Sequence, residues 1–280
     1  MSFKRILVDS FALLKKCPHF FIPKIVIAFL LLPSFILLPY YAIQLDISQF
    51  SLSPTPAESA KILSLFIPML FISLYGLLIN SIDFFIVNPM YPVMVNEFYK
   101  KGTISFRAAF ISVLRRFGSI FSSLLAILGL ILVFISPIAI LITMALFSRD
   151  SILLWISIFA ALALMFFWFV FFYFLIYPIS TLEKLNFSKI LKQTVLVSSK
   201  HKGNISKAFI IFFLITILSY LLGFVVVYLG APEQIISLLI AFAAFVFVRA
   251  LVAILATYQY VLNAVFYLGF EKGVFFSDKK

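Results

Sequence analysis

Six apolar stretches decide what this chain can fold into. They run from Phe20 to Tyr41, Ile62 to Val87, Ile120 to Phe147, Ile152 to Tyr177, Ile205 to Leu229 and Ile235 to about Val265. Each exceeds the roughly 20 residues that a helix needs to cross a hydrocarbon core of about 30 Å. With 64% hydrophobic residues and only 11% charged ones, a chain of 280 residues cannot hide that much apolar surface from water. In lipid every backbone N–H and C=O must be paired within its own segment, so the stretches must be helices. Pro23, Pro33 and Pro39 predict that the first helix is kinked or broken near its ends. A secretory signal peptide is the competing reading of the N-terminus. The 19-residue lead, the missing small-residue cleavage site and the five later stretches argue against it.

A net charge of +12 would suggest a nucleic-acid ligand in a soluble protein, but its distribution gives another cause. With the N-terminus inside, residues 1–24, 88–119, 178–207 and the tail after 267 carry nineteen Lys and Arg, and the opposite side has only Lys61 and Arg149. That asymmetry places both termini in the cytoplasm of a cell-membrane protein, with the anionic inner leaflet as the partner of the cations and no nucleic acid required. One cysteine, Cys17, excludes an internal disulfide framework, and with only His19 and His201 beside it no Cys/His metal site of ordinary ligand count is expected.

Between the stretches lie basic, half-apolar segments. On a helix of 100° per residue, Phe187, Ile190, Leu191, Thr194 and Ser198 share one face of "EKLNFSKILKQTVLVSSKHKGN", and Lys189, Lys192, Gln193 and Lys200 gather on the other, with Leu196 out of place. Near the N-terminus Phe3, Ile6, Leu7, Phe11 and Leu14 form a stripe, with Lys4, Arg5, Asp9 and Lys16 away from it. A third stripe is Phe106, Phe110, Val113, Leu114 and Phe117, opposite Ser112, Arg115 and Arg116. These patterns predict three amphipathic helices lying on the cytoplasmic surface.

Each such helix ends in a basic cluster and a breaker (Pro18, Gly118, Gly203) before the next stretch. "YPVMVNE" ends at Glu97 and "YPISTLE" at Glu183, while "VFYLGFE" ends at Glu271 without the Tyr-Pro pair. The expectation is a single all-α integral membrane domain of six transmembrane helices. It would comprise three repeated units, about 1–97, 98–183 and 184–271, each an amphipathic surface helix plus a transmembrane hairpin.

A glutamate after a span, then a helix carrying Ala and Ser, then a basic-plus-Gly end resembles the polytopic membrane domain that accompanies some glycerophosphodiester phosphodiesterases, and related stand-alone bacterial and archaeal membrane proteins. Glu97, Ala108, Ser112, Arg116 and Gly118 carry the resemblance in one copy. Glu183, Thr194, Lys202 and Gly203 carry it in another, where Ile190 or Leu191 stands in place of the small residue. The resemblance implies a membrane-embedded domain without catalysis of its own. A phosphodiesterase barrel of around 250 residues has no room in this chain.

Ionisable groups inside a span are the first places to look for function. Arg249 lies 14 residues into the last stretch, and Asp83 is the only acidic residue within any of them. They form a candidate intramembrane pair, with Asn80, Thr257, Gln259 and Asn263 as candidate polar lining; separate solvation of the two charges is the alternative. Glu97, Glu183 and Glu271 invite a shared ion or proton site, or more simply an interaction with the helix N-terminus or lysine nearest each. No Ser/His/Asp order, H-E-x-x-H, C-x-x-C or Gly-rich phosphate loop occurs, so no catalytic residues and no cofactor are assigned. The leading expectation is a non-enzymatic scaffold, assembly or lipid-interacting module whose partners are membrane lipids and another membrane protein. Transport of a small solute or lipid along the polar lining is the alternative, and a lipid enzyme is the third class.

Overall fold

The computed structural model describes residues 3–44, 55–127, 129, 155–156, 158, 161, 174–229 and 235–274. Among them every regular element is helical. The elements are α1 (Phe3–Lys16), a 3₁₀ turn (Pro18–Phe21), α2 (Ile22–Gln44), α3 (Pro56–Ile82), a π turn (Asp83–Val87), α4 (Asn88–Lys101), α5 (Phe106–Arg115) and α6 (Phe117–Ile127). They continue with α7 (174–182), α8 (Phe187–Lys200), α9 (Lys202–Leu229) and α10 (Ile235–Lys272). Three helical runs, Pro18–Leu38, Pro56–Lys101 and Phe242–Lys272, are long and apolar enough to cross a membrane. α9 covers the fifth apolar stretch, whereas most of the third and fourth stretches lies outside the described residues.

Local chemistry sets the boundaries. Thr55 caps α3: its hydroxyl accepts from the Glu58 N–H at 3.3 Å, and the Glu58 carboxylate accepts from the Thr55 N–H at 2.7 Å, a reciprocal capping box. α3, the π turn and α4 form one 46-residue run that ends at Gly102, whose φ of 74° suits a residue without Cβ. Ser105 then caps α5 by accepting from the Ala108 N–H at 3.2 Å. Among the described residues the first stretch is helical through Pro33 and Pro39, and a 3₁₀ turn precedes α2 at Ile22. α2 packs along α3. There Gly76 lets the helices approach so closely that a Cβ would sit 2.9 Å from Ser34 Oγ.

α10 is the central element and packs against α1, α2, α4 and α9. Burial concentrates at one end of the bundle, where Tyr91, Met94 and Val95 of α4, Phe174 to Tyr177 of α7, and Val261 to Phe266 of α10 are buried. Away from that end, Leu63, Phe66, Leu70, Phe71, Leu74, Leu77 and Leu78 of α3 are exposed, which suits a lipid-facing helix and would be unsustainable in water. α5 and α6 are bent by 72° at Arg116, so α5 lies across the direction in which the third stretch begins.

Burial refines the three stripes. Ile6, Leu13 and Leu14 of α1, Ala109 and Val113 of α5, and Ile190, Thr194, Val197 and Ser198 of α8 are buried. Two assignments on α1 are reversed: Asp9 is buried and Phe11 is 65% exposed. α1 packs against α10, and its buried face includes Asp9 and Ser10, whose hydroxyl donates to the Ile6 carbonyl at 2.7 Å, while Val8 and Phe11 lie outside.

Candidate functional site

Asp83 opens the π turn, where one extra residue per turn changes the face that the following helix presents. Its partner is Lys24, two residues into α2. The ammonium donates to Asp83 Oδ2 at 2.6 Å and to Oδ1 at 2.8 Å, and lies 4.6 Å from the centre of the Tyr260 ring. Lys24 is 6% exposed and Asp83 20%, so the pair is largely shielded and its attraction is strong. Close by, the Tyr91 hydroxyl donates to the Phe20 carbonyl at 3.1 Å and lies 3.4 Å from Thr257 Oγ1, and the Tyr91 and Tyr260 rings stack at 5.7 Å. The cluster ties α2, the π turn, α4 and α10 together.

The expected Asp83–Arg249 pair is therefore not the one that forms. Lys24 meets α10 at Tyr260, eleven residues beyond Arg249 and about 16 Å further along a helix rising 1.5 Å per residue. Asp83, held to that ammonium, is at the wrong depth. Arg249 instead lies over the Phe35 ring, with its Cζ 3.5 Å from the centroid, and its buried Nε has no hydrogen-bond partner. Ile25, Ala28, Phe29, Leu32, Val246 and Ala250 surround it.

The candidate polar lining is occupied by the helices themselves. The Asn80 side-chain amide donates to the Gly76 carbonyl at 2.8 Å, and the Thr257 hydroxyl donates to Ala253 O at 2.8 Å. Gln259 donates to Phe212 O at 3.3 Å, joining α10 to α9, and Asn263 donates to Phe174 O, joining α10 to α7. The Tyr177 hydroxyl donates to Phe84 O at 3.0 Å, linking α7 to the π turn.

The three glutamates have separate partners. Glu97 accepts from Lys101 Nζ at 3.1 Å and from the Ser105 N–H, at the start of α5, at 3.1 Å. Glu183 accepts from the Tyr267 hydroxyl at 2.5 Å and from Lys272 Nζ at 2.6 Å. Burial alone would raise the Glu183 pKa; the bonds from Lys272 and Tyr267 and the charges of Lys272 and Arg116 outweigh it and hold the group below its ordinary value. Glu271 accepts from Lys200 Nζ at 3.0 Å and lies 2.7 Å from His201 Nε2. Among the described residues no group of three His, Cys, Asp or Glu is arranged to hold a metal ion.

Lys24 is the residue that sequence reasoning missed. It sits four residues into the first apolar stretch, close enough to the end to be counted with the flanking cations. Arg116 also gains a role: its Nη1 donates to Thr181 O at 2.6 Å and Glu183 O at 2.8 Å, clamping the end of α7 to the bend after α5. Beside that clamp a cavity of about 600 Å³ is lined by Ala108, Ser112, Arg115 and Ser119 on one wall and Ser180 and Lys184 on the other. Comparison with protein-family models, curated proteins and solved structures finds no match for the chain.

Proposed function

We propose that this is a non-enzymatic multi-pass protein of the cell membrane that acts from the cytoplasmic face as a lipid-interacting scaffold or assembly module. The observation that carries the reading is a contrast. Asn80, Thr257, Gln259 and Asn263 are bonded to helix carbonyls and Asp83 to Lys24, whereas Lys4, Arg107, Arg115, Lys189 and Lys192 on α1, α5 and α8 are exposed. A transport path needs polar groups turned toward a solute; here Gln259, Asn263 and Asp83 join neighbouring elements, and Asn80 and Thr257 bond back to their own helices. Exposed cations beside exposed Phe11, Phe110 and Leu196 suit a headgroup boundary, where each Lys or Arg contributes about 1 kcal/mol toward an anionic leaflet.

The finer architecture belongs to the same proposal: six transmembrane helices in three units, with both termini cytoplasmic. The 72° bend between α5 and α6 supports it, as does the meeting of the basic ends of α5 and α8 with the glutamate ends of their own units. Arg116 meets Glu183 and Thr181, His201 meets Glu271, and Lys16 and His19 lie across a cavity from Phe98 and Gly102. One observation favours transport instead: the shielded Lys24–Asp83 pair coincides with a π turn, an irregularity common at functional sites.

Purification in native lipid followed by mass spectrometry separates the two. Stoichiometric retention of anionic phospholipid or of another membrane protein is the expected result. Retention of a small solute, with flux into proteoliposomes that Asp83→Asn abolishes, would replace the scaffold reading by transport.

A further inference from the structure

The cavity beside the Arg116 clamp carries a more specific assignment, which deepens the lipid-interacting reading and rests on it. Ala108, Ser112, Arg115, Arg116 and Ser119 recur at the three- and four-residue spacing that puts them on one helical face, continued past the bend. That face is not the buried one, which is Ala109 and Val113. Ser180, Glu183, Lys184 and Leu185 form the facing wall.

Three cations line the space: Arg115, Arg116 and Lys184. The single carboxylate in the wall, Glu183, is held by Lys272 at 2.6 Å and the Tyr267 hydroxyl at 2.5 Å and also faces Arg116, so it offsets part of that one charge and leaves Arg115 and Lys184 uncompensated. Arg116 is fixed by Nη1 on two carbonyls, which holds its planar fork in one orientation and leaves Nε and Nη2 to donate elsewhere. Arg115 and Lys184 are exposed and have no protein partner among the described residues. Hydroxyls of Ser112 and Ser119 add donors to the lining, while Ser180 donates to the Tyr177 carbonyl at 3.2 Å. About 600 Å³ is the size of a small-ligand site and admits a compact headgroup.

We propose that this cavity binds a phosphate oxyanion of a small phosphoester, presented either as the headgroup of an anionic phospholipid or as a soluble phosphate. A preoriented guanidinium, two mobile cations and hydroxyl donors around one space are the recognition set for that group.

The test uses the full-length protein in nonionic micelles with three probes: short-chain phosphatidic acid, phosphatidylcholine of the same chain length, and inorganic phosphate. Arg115→Gln/Lys184→Gln removes two cations without touching the Arg116 clamp, and Lys189→Gln/Lys192→Gln removes two exposed cations from α8 as a matched control. The cavity pair weakens phosphatidic acid binding by about tenfold or more, since each charge-assisted bond lost is worth about tenfold, and the control changes it less than about twofold. Preference for phosphatidic acid over inorganic phosphate identifies a lipid headgroup, and equal affinity identifies a soluble phosphoester; both support the site. A second measurement removes no charge: maleimide labelling of Ser112→Cys is slowed by phosphatidic acid and not by phosphatidylcholine. Equal loss in both double variants, or no binding by the unaltered protein and no protection of Ser112→Cys, would overturn the site. If Lys189→Cys is still labelled from the cytoplasm, only the site falls; labelling from the far side would remove the lipid-scaffold reading with it.

Discussion

Replacing Asp83 by Asn leaves the Lys24 ammonium 6% exposed against a neutral amide and the Tyr260 ring. Breaking a shielded ion pair from one side costs about 3–5 kcal/mol, because the remaining charge keeps its desolvation penalty and loses its attraction. Lys24→Met should cost less than Asp83→Asn, since the stranded Asp83 is 20% exposed and still reaches water. The double variant Lys24→Met/Asp83→Leu removes both penalties and should return to within about 1–2 kcal/mol of the unaltered protein. With Asp83→Leu as the matching single variant, the unaltered protein, Lys24→Met, Asp83→Leu and the double variant form a double-mutant cycle, read by reversible unfolding in mixed micelles, with an expected coupling of about 2 kcal/mol or more. Singles that each cost under about 1 kcal/mol, or effects that simply add, would show that the 2.6 Å contact does not hold the bundle.

Deleting Ile86 should restore regular α geometry across the π turn and rotate α3 against α4 by about 100°, separating Asp83 from Lys24; loss of stability matching Asp83→Asn is the expected readout. Gly76→Ala should destabilise by about 1–3 kcal/mol through overpacking against Ser34, and Ser34→Ala should recover part of it; no recovery would refute the close approach. Because the folded-state pKa of Glu183 is depressed, its stabilisation is present above its ordinary value of 4.5 and is lost as pH falls through the lower folded value. Glu183→Gln should therefore be less stable than the unaltered protein near neutrality and converge with it only in acid, and a constant gap down to strong acid would contradict this.

Sequence carried the helical class, because backbone pairing in lipid leaves few alternatives and three of the apolar stretches reappear in helices long enough to cross. A period of 3.6 residues also placed one inner residue in each basic helix, Ile6, Val113 and Ile190, which are buried, whereas Phe110, Leu114 and Phe187 of the expected stripes are exposed. Periodicity does not say where that face ends. Asp9 and Phe11 lie on its two borders, and only packing against α10 decides between them. Partner choice was harder still. Pairing Asp83 with Lys24 depends on the depth of each helix and on the rotation introduced at the π turn, and neither leaves a mark in composition or spacing. Glu97, Glu183 and Glu271 were visible as landmarks, but their partners, Ser105, Tyr267 and His201, come from turns and neighbouring helices that only the fold brings near.

Sidedness is the most direct test. In intact cells and in inverted vesicles, a membrane-impermeant maleimide is applied to Lys189→Cys and Lys61→Cys in a Cys17→Ser background. Lys189→Cys on α8 should label only from the cytoplasmic side and Lys61→Cys on α3 only from outside. Labelling of Lys189→Cys from outside, or of both positions from one side, would contradict a bundle whose basic helices line the inner leaflet.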